Sequence, residues 1–496
     1  MSFASVTQPT SSAAIERLSA SPQLTFVVGA GASMEALLPS WPNLLRRLLR
    51  QVAEEHPTLE TEIERATWVD RTIGDEDLLA AGAIVEALAE GGLEPILTDA
   101  LFGEGGPASF EPGPIAHQVA RLRVELGDRL ALLTTNYDDL LERALLANGI
   151  PKRSIKSYVR RRTPPHGAIP ITHLHGYAGR DNTKNVVLTE EHYHRMQRGS
   201  SWQEQMVTDC LQTSTCLFVG TSLTDPNLIR YLYGYRQSEA RRHAAIFIRQ
   251  GQVDDLSDNV RAAREDAVSK RWGRCGVEAV FLDHYADAAQ FVYEIGLRRK
   301  DPTGHRSVGQ RAEDALNAIS SRALLADAPL DMFAERQVEL SRWLRITLTN
   351  TLATVLGDAD LPGGERLALA LWLIGPDGRC LTGWAHSDRA HQDPATIEAV
   401  PILPTSPWVS VRTVCQGGRV EMNRASDVSR WRYVRGLPLI LEHPTRLPIG
   451  CLTISSTKAD VETVLTQMPA DAKADLHQGL LDAVVPQFER VVAEAL

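Results

Sequence analysis

Two side chains of this 496-residue chain stand where bond-breaking chemistry is expected. Asn136 follows an apolar run in LLTTNYDDLLERA (Leu132–Ala144), and His175 closes the run ITHLHG (Ile171–Gly176). Apolar runs that stop at glycine, asparagine or aspartate read as C-terminal ends of buried parallel strands, the edge where open α/β sheets bind ligands. A carboxamide there both donates and accepts, so Asn136 can hold a ribose hydroxyl or orient a water near an anomeric carbon. An imidazole titrates near neutrality, so His175 can take a proton from a ribose hydroxyl or from water. His173 falls on the same face of an extended run and is read as a structural histidine. Thr135 and Asp138 belong to the same sheet edge, whereas Thr134 and Asp139 are read as caps of the following helix.

Two further segments end strands in the same way. FVVGAGAS (Phe26–Ser33) places Gly29 and Gly31 after LTFVV, where missing side chains let backbone N–H groups approach a pyrophosphate at a helix N-terminus. The third glycine of the dinucleotide fingerprint is absent and Ser33 follows instead, so a plain strand-to-helix turn accounts for the glycines equally well. LFVGTSLTDPNL (Leu217–Leu228) offers Gly220, Thr221 and Ser222 as donors to phosphate or ribose, while Asp225 suits either an N-cap or a ligand contact. Pro39 and Trp41 are read as a turn and a core residue. Together the four segments describe a pocket for a dinucleotide.

The elements that must position them alternate strand and helix. LTFVVGA, LALLTTN, AIPITHLHG, TCLFVG, AAIFIR and EAVFLD are strand candidates separated by amphipathic segments, which predicts a parallel, Rossmann-like sheet covered on both faces. A helical insertion over about 42–126, including DEDLLAAGAIVEALAE, separates the first two strands and is placed to cap the pocket. KDPTGHRSVGQ (Lys300–Gln310) marks a boundary. The apolar stripe Phe333, Leu340, Leu344, Leu348, Leu352 and Val355 then predicts a helix over Asp331–Leu356 that packs within the chain, with a second protomer as the alternative partner. Beyond it, LALALWLIGPDGRCLTGWAH reads as a hairpin turning at PDG, WRYVRGLPLILEH and RLPIGCLTISS as a second antiparallel pair, and about Pro469–Leu496 as a closing helix. The expected organisation is a catalytic α/β domain (1–299), a helical linker (300–358) and an α+β sensor domain (359–496).

Composition narrows the function classes. With 52 Lys and Arg against 62 Asp and Glu, the net charge of −10 argues against a surface that wraps nucleic acid. The short basic clusters at Arg160–Arg162 and at Arg46, Arg47 and Arg50 are read as solvated faces. Six scattered cysteines without paired spacing suggest neither structural zinc nor disulfides, and no run is long and apolar enough to span a membrane. These features predict a cytoplasmic protein without a metal.

From about Pro22 to Gly296 these segments resemble the SIR2-like (sirtuin-related) domains of bacterial proteins. The resemblance implies that Gly29, Ala30, Gly31 and Ser33 cradle the pyrophosphate of NAD⁺. It implies further that Asn136 lies by the nicotinamide ribose, Asp138 reaches the carboxamide, His175 is the base, and Gly220, Thr221 and Ser222 bind the dinucleotide. VLTEEHY (Val187–Tyr193) also resembles a segment of this subgroup and receives no chemistry. The four-cysteine zinc module and GIPDFR-like stretch of the protein deacylases are absent, so water is the expected acceptor. Cleavage of the nicotinamide bond through an oxocarbenium-like state then makes the chain an NAD⁺ hydrolase. An NAD-dependent deacylase or ADP-ribosyl transferase, and a non-catalytic NAD⁺ or ADP-ribose-binding module, remain alternatives. The subgroup consists of antiviral effectors that deplete NAD⁺, which implies restraint by another part of the chain or by homo-oligomer assembly. RYVRGLPLILE and PIGCLTISS resemble a GAF-type domain, to which an unidentified small-molecule or protein trigger is assigned.

Overall fold

The computed structural model describes residues 5–89, 92–103, 106–179, 182–197, 201–235, 243–249, 257–357, 361–375, 378–403, 405–423 and 430–495. Its first sheet has seven parallel strands: β1 (Leu24–Val28), β2 (Leu130–Thr134), β3 (Ile155–Tyr158), β4 (Ile169–His173), β7 (Thr215–Val219), β8 (His243–Ile248) and β9 (Val277–Leu282). A small hairpin of β5 (Tyr177–Gly179) and β6 (Asn182–Lys184) interrupts the series. The order β3-β4-β2-β1-β7-β8-β9 places the reversal of chain direction across the sheet between β1 and β7, the topological switch where such sheets form a crevice.

Register explains why the four segments converge. Val28 pairs with Thr134 on one side and Val219 on the other, and Thr134 pairs with His173. The four adjacent strands β4, β2, β1 and β7 therefore end at one level, and their following loops rise side by side. All five residues of β1 are buried, as expected of a strand covered on both faces. Six of the seven strands coincide with the expected runs. β3 was not anticipated: IKSY is an edge strand with only intermediate and exposed positions, so it lacks the apolar run that marks its neighbours.

The insertion after β1 is helical, with helices at Trp41–Glu55, Glu62–Asp75, Leu78–Leu88, Leu93–Phe102 and Pro114–Leu126. The first four share a separate apolar cluster with Tyr137 and Leu188, whereas Pro114–Leu126 packs beneath the sheet in the main core. Capping fixes their starts: Thr61 and Glu64 form a capping box, and Asp77 accepts from Leu79 and Ala80 N–H.

The second sheet is antiparallel, ordered β12-β11-β10-β15-β14-β13. It comprises β10 (Leu367–Ile374), β11 (Cys380–His386), β12 (Ala399–Pro401), β13 (Val420–Asn423), β14 (Tyr433–Leu441) and β15 (Leu447–Ser456). Both expected antiparallel pairs are present, and β12 is an additional short edge strand. Pro376 and Asp377 of the expected PDG turn lie outside the described residues. The helix Leu330–Leu356 buries Phe333, Leu340, Leu344 and Leu348 inside the chain, packing against the sheet and the closing helix Ala470–Ala493. One apolar cluster runs from Val6 and β1 through Phe291 and Leu316 to Leu452 and Val492, so the two sheets share a continuous core. No helix among the described residues is long and apolar enough to cross a membrane.

Candidate active site

The four loops enclose one cavity of about 440 Å³. Gly29, Ala30, Ser33, Thr135, Asn136, Asp138, His175, Gly220, Thr221, Ser222 and Asp225 all line it. Gly31 does not. It lies beneath, donating its N–H to Gly220 O at 2.7 Å, and a Cβ there would stand 2.9 Å from Gly220 Cα. Gly220 has φ +70°, and its own Cβ would come within 2.5 Å of Ala32 N. The glycines thus serve a backbone-to-backbone contact that locks the β1 and β7 loops together. The helix expected after GAGAS is one turn, Gly31–Met34, so an extended helix dipole adds little there and the loop N–H groups remain the donors.

Asn136 is held by its nitrogen. Nδ2 donates to Gly29 O at 3.1 Å and to Ser33 Oγ at 2.8 Å, and Ser33 Oγ in turn donates to Asp138 Oδ2 at 2.7 Å. Gly29 O can only accept, which fixes the amide orientation. Oδ1 is left buried without a partner, so Asn136 offers a ligand an acceptor and not the donor-plus-acceptor pair its residue type allows. Asp138 also accepts from Leu140 N–H at 3.1 Å, and burial pushes its carboxyl up to about 6. Asp139 holds the N-cap position, as expected, but its side chain makes no cap bond; Asp138, one residue earlier, accepts from the helix in its place. Thr134 Oγ1 donates to Val28 O and accepts from Asn136 N–H at 2.9 Å, which pins the turn into the site.

The two histidines divide into support and cavity wall. His173 is fully buried, with Nδ1 3.0 Å from Asn136 O and Nε2 2.9 Å from Glu142 Oε1. Burial opposes charge on both partners, yet their mutual attraction outweighs it: His173 is raised and Glu142 lowered. His173 thus braces the Asn136 backbone. His175 lines the cavity, its Nε2 3.3 Å from Asp225 Oδ2 and its ring edge-on to Tyr193. Gly176 has φ +96° and no room for a Cβ beneath Lys184 O and Asn185 O, which lets the chain turn directly after the histidine.

Asp225 caps a helix and also faces the cavity. Oδ1 caps the helix Pro226–Gly234 by accepting from Leu228 N–H at 2.7 Å, while Oδ2 faces His175 and accepts from Tyr193 OH at 2.6 Å. Burial, then Asp225, holds the Tyr193 phenol above its ordinary range. Tyr193 was not anticipated as part of the site, although VLTEEHY, which ends on it, was singled out. Trp41 is half-buried and lines the cavity with Leu38, Leu44, Leu78, Leu79 and Leu101, so the insertion supplies an apolar wall opposite the polar sheet edge.

A SIR2-like domain model matches residues 130–270. The NAD(+) hydrolase ThsA of Acinetobacter baumannii (strain 532279) is 26% identical over 278 residues, covering 54% of this chain and 52% of that protein. ThsA of Enterococcus faecium is 27% identical over 284 residues, covering 54% of each chain. The chain spans about half the length of the curated relatives it matches. Among solved structures, a Sir2 enzyme aligns at 12% identity and TM-score 0.31, over 60% of this chain and 100% of its own. The β2 and β7 loops that carry Asn136 and Asp225 both fall inside the span that matches the SIR2-like domain model.

Proposed function

We propose that this chain is an NAD⁺ glycohydrolase that releases nicotinamide and ADP-ribose. The observation that carries the reading is the joint lining of one cavity by the unpaired Asn136 acceptor, by His175 with its carboxylate neighbour, and by the two interlocked glycine loops. In this reading the loop N–H groups of Gly29, Ala30 and Gly220 bind the pyrophosphate, with the Thr221 and Ser222 hydroxyls beside them. Asn136 Oδ1 accepts a hydrogen bond from a ribose hydroxyl or from the attacking water. As the C1′–N bond breaks, its electron pair leaves with neutral nicotinamide; water adds to C1′ and gives its proton to His175. The apolar wall of Trp41, Leu44 and Leu79 shelters the leaving ring. Asp138, already tied to Ser33 and Leu140, holds the Ser33–Asn136 chain in place, and direct contact with the carboxamide is not required of it.

The wider assignment extends this reading. NAD⁺ is the substrate, the protein acts in the cytoplasm, and it depletes NAD⁺ as an effector of antiphage defence. Residues 1–299 form the catalytic part, 300–358 the connecting helices and 359–496 a GAF-like sensor. Support for the last is the six-stranded antiparallel sheet backed by two long helices. A trigger acts at this sensor, and assembly into a homo-oligomer restrains or releases turnover.

The decisive experiment is nicotinamide release by the purified full chain, alone and with extract of phage-infected cells, against Asn136→Ala and His175→Ala. Release by the wild type and its loss in both variants, with circular dichroism unchanged, is the expected result. Near-full release by either variant removes that residue from the mechanism, and failure of the wild type under both conditions refutes the hydrolase.

A further inference from the structure

We propose that the open edge of β3 docks an extended acidic segment of a partner protein. The stretch Pro151–His166 (PKRSIKSYVRRRTPPH) carries six Lys and Arg and no Asp or Glu, in a chain whose net charge is −10. Lys152, Arg153, Lys156, Arg160, Arg161 and Arg162 are all exposed. Arg161 is bound to Asp209 and Gln205, and the other five have no carboxylate partner among the described residues. The run Arg160–Arg162, which by composition alone is a solvated face, thus continues a strip of free positive charge along an edge strand.

The strand between these charges is paired on one side only. β3 adjoins β4 at the margin of the seven-stranded sheet, and its outer N–H and C=O groups face no strand among the described residues. Such an edge accepts a further strand from another chain, main chain to main chain. Lysines on an edge also keep copies of a protein apart. Every charge here has one sign, so two β3 edges brought together repel, whereas a strand carrying Asp and Glu is matched in backbone and side chains alike. Edge-to-edge pairing with a second copy is disfavoured on the same ground that favours an acidic partner.

β3 leads directly into a groove of about 760 Å³, with Val159, Arg160 and Arg161 in its lining and an apolar wall that includes Leu93, Met196 and Trp202. Its charges are mixed: His192 lies 3.4 Å from Glu86, Arg195 is bound to Glu191, and Glu94 also lines it. The attracting charge therefore belongs to the strand and its flanks, and the groove takes an apolar anchor side chain. Glu86 and Glu94 stand against the phosphates of a nucleic acid, which favours a peptide as the occupant. The edge also touches the catalytic framework: Ser157 Oγ donates to Glu142, which holds His173 beneath the Asn136 carbonyl. A docked strand lies one hydrogen-bonded chain from Asn136, yet docking is independent of the hydrolase reading and is read by binding, not turnover.

The full chain is titrated by fluorescence anisotropy with a labelled peptide that alternates Glu with Val and ends in Trp. Three controls accompany it: the same peptide with Lys for Glu, the same peptide with Pro for Val, which keeps the charge but cannot donate to a ladder, and an oligothymidylate of equal net charge. The acidic peptide is expected to bind, to weaken steeply with added salt, and to slow amide exchange at Ile155–Tyr158. The lysine peptide does not bind, and the proline peptide and the oligonucleotide bind about tenfold more weakly. Lys156→Glu combined with Arg160→Glu and Arg162→Glu, all at exposed positions, costs the acidic peptide a similar factor. Any of five results overturns the proposal: no binding by the acidic peptide, equal affinity for its proline version, tighter binding of the oligonucleotide, unchanged exchange in β3, or affinity that survives the triple reversal.

Discussion

At the scale of single residues, the site depends on polar atoms that are committed or left free. Asp225 spends one oxygen on a helix cap and presents the other to His175 and Tyr193. Asparagine caps helices about as well as aspartate, so Asp225→Asn keeps the helix while removing the charge beside the imidazole. Nicotinamide release by this variant is expected to fall in kcat by about 10- to 100-fold, with little change in KM and an unshifted melting temperature. Loss of stability alone would instead lower the melting temperature and leave kcat of the folded fraction intact. Glu35 makes a second prediction. It is half-buried beside Gly113, accepts from Ile115 N–H at 2.9 Å, and desolvation of its carboxyl pushes it up to about 8 from an ordinary 4.5. Between those pH values the unfolded chain has released a proton that the folded chain keeps, so this group's contribution to stability falls as pH rises. The slope is on the order of 1 kcal/mol per pH unit. Denaturant titrations from pH 5 to about 8 are expected to show Glu35→Gln gaining on the wild type as pH rises; a constant difference would show that the carboxyl is already ionised.

At the scale of elements, the interlocked glycine loops are the feature most exposed to substitution. Gly220→Ala demands a left-handed backbone of a residue with a Cβ and drives that Cβ against Ala32 N. The expected loss is about 1–3 kcal/mol, with nicotinamide release reduced beyond the unfolded fraction because the β1 loop must shift. A fully active, equally stable variant would show that the two loops tolerate separation. These loops were legible in the chain because four buried parallel strands write uninterrupted apolar runs that stop at glycine, asparagine or histidine. The strand β3 was not, since Lys156 and Ser157 are exposed on an edge and its pattern resembles a loop. Asp225 and Tyr193, 32 residues apart, meet only through folding; each has a sufficient local explanation, as a cap and as a helix residue. Asp139 holds the expected cap position while its neighbour Asp138 accepts from Leu140 N–H, a division that only the backbone path sets. Trp41 has the composition of a core residue and becomes a cavity wall because the insertion folds back over the sheet edge.

At the scale of the whole molecule, the two sheets are joined by a polar seam over a shared core. The helix Tyr285–Lys300 presents Gln290 and Tyr293 to the β14–β15 connection: Arg446 Nη1 donates to Gln290 Oε1 at 2.7 Å, and Arg446 N–H to Tyr293 OH at 3.0 Å. Arg121 stacks on Tyr293 and lies 3.8 Å from Glu442. With one apolar cluster spanning both sheets, amides of β1 and β14 are expected to exchange through the same global opening, with matching free energies. Slow exchange in one sheet beside fast exchange in the other would make them independent folding units. Tyr293→Phe removes the acceptor for Arg446 N–H and is expected to cost about 1 kcal/mol, measured by the shift in denaturant midpoint.

The same seam reaches toward the first cavity. Glu35 stands two residues after Ser33, its carbonyl lies against Gly418 at the end of the helix Val409–Gln416, and its carboxyl feels the buried charge of Arg446. The segment that anchors the Asn136 amide thus lies against the turn that follows the helix Val409–Gln416. Any tilt of that short rod of two turns would press its far end on Glu35, two residues from the serine that holds the Asn136 amide.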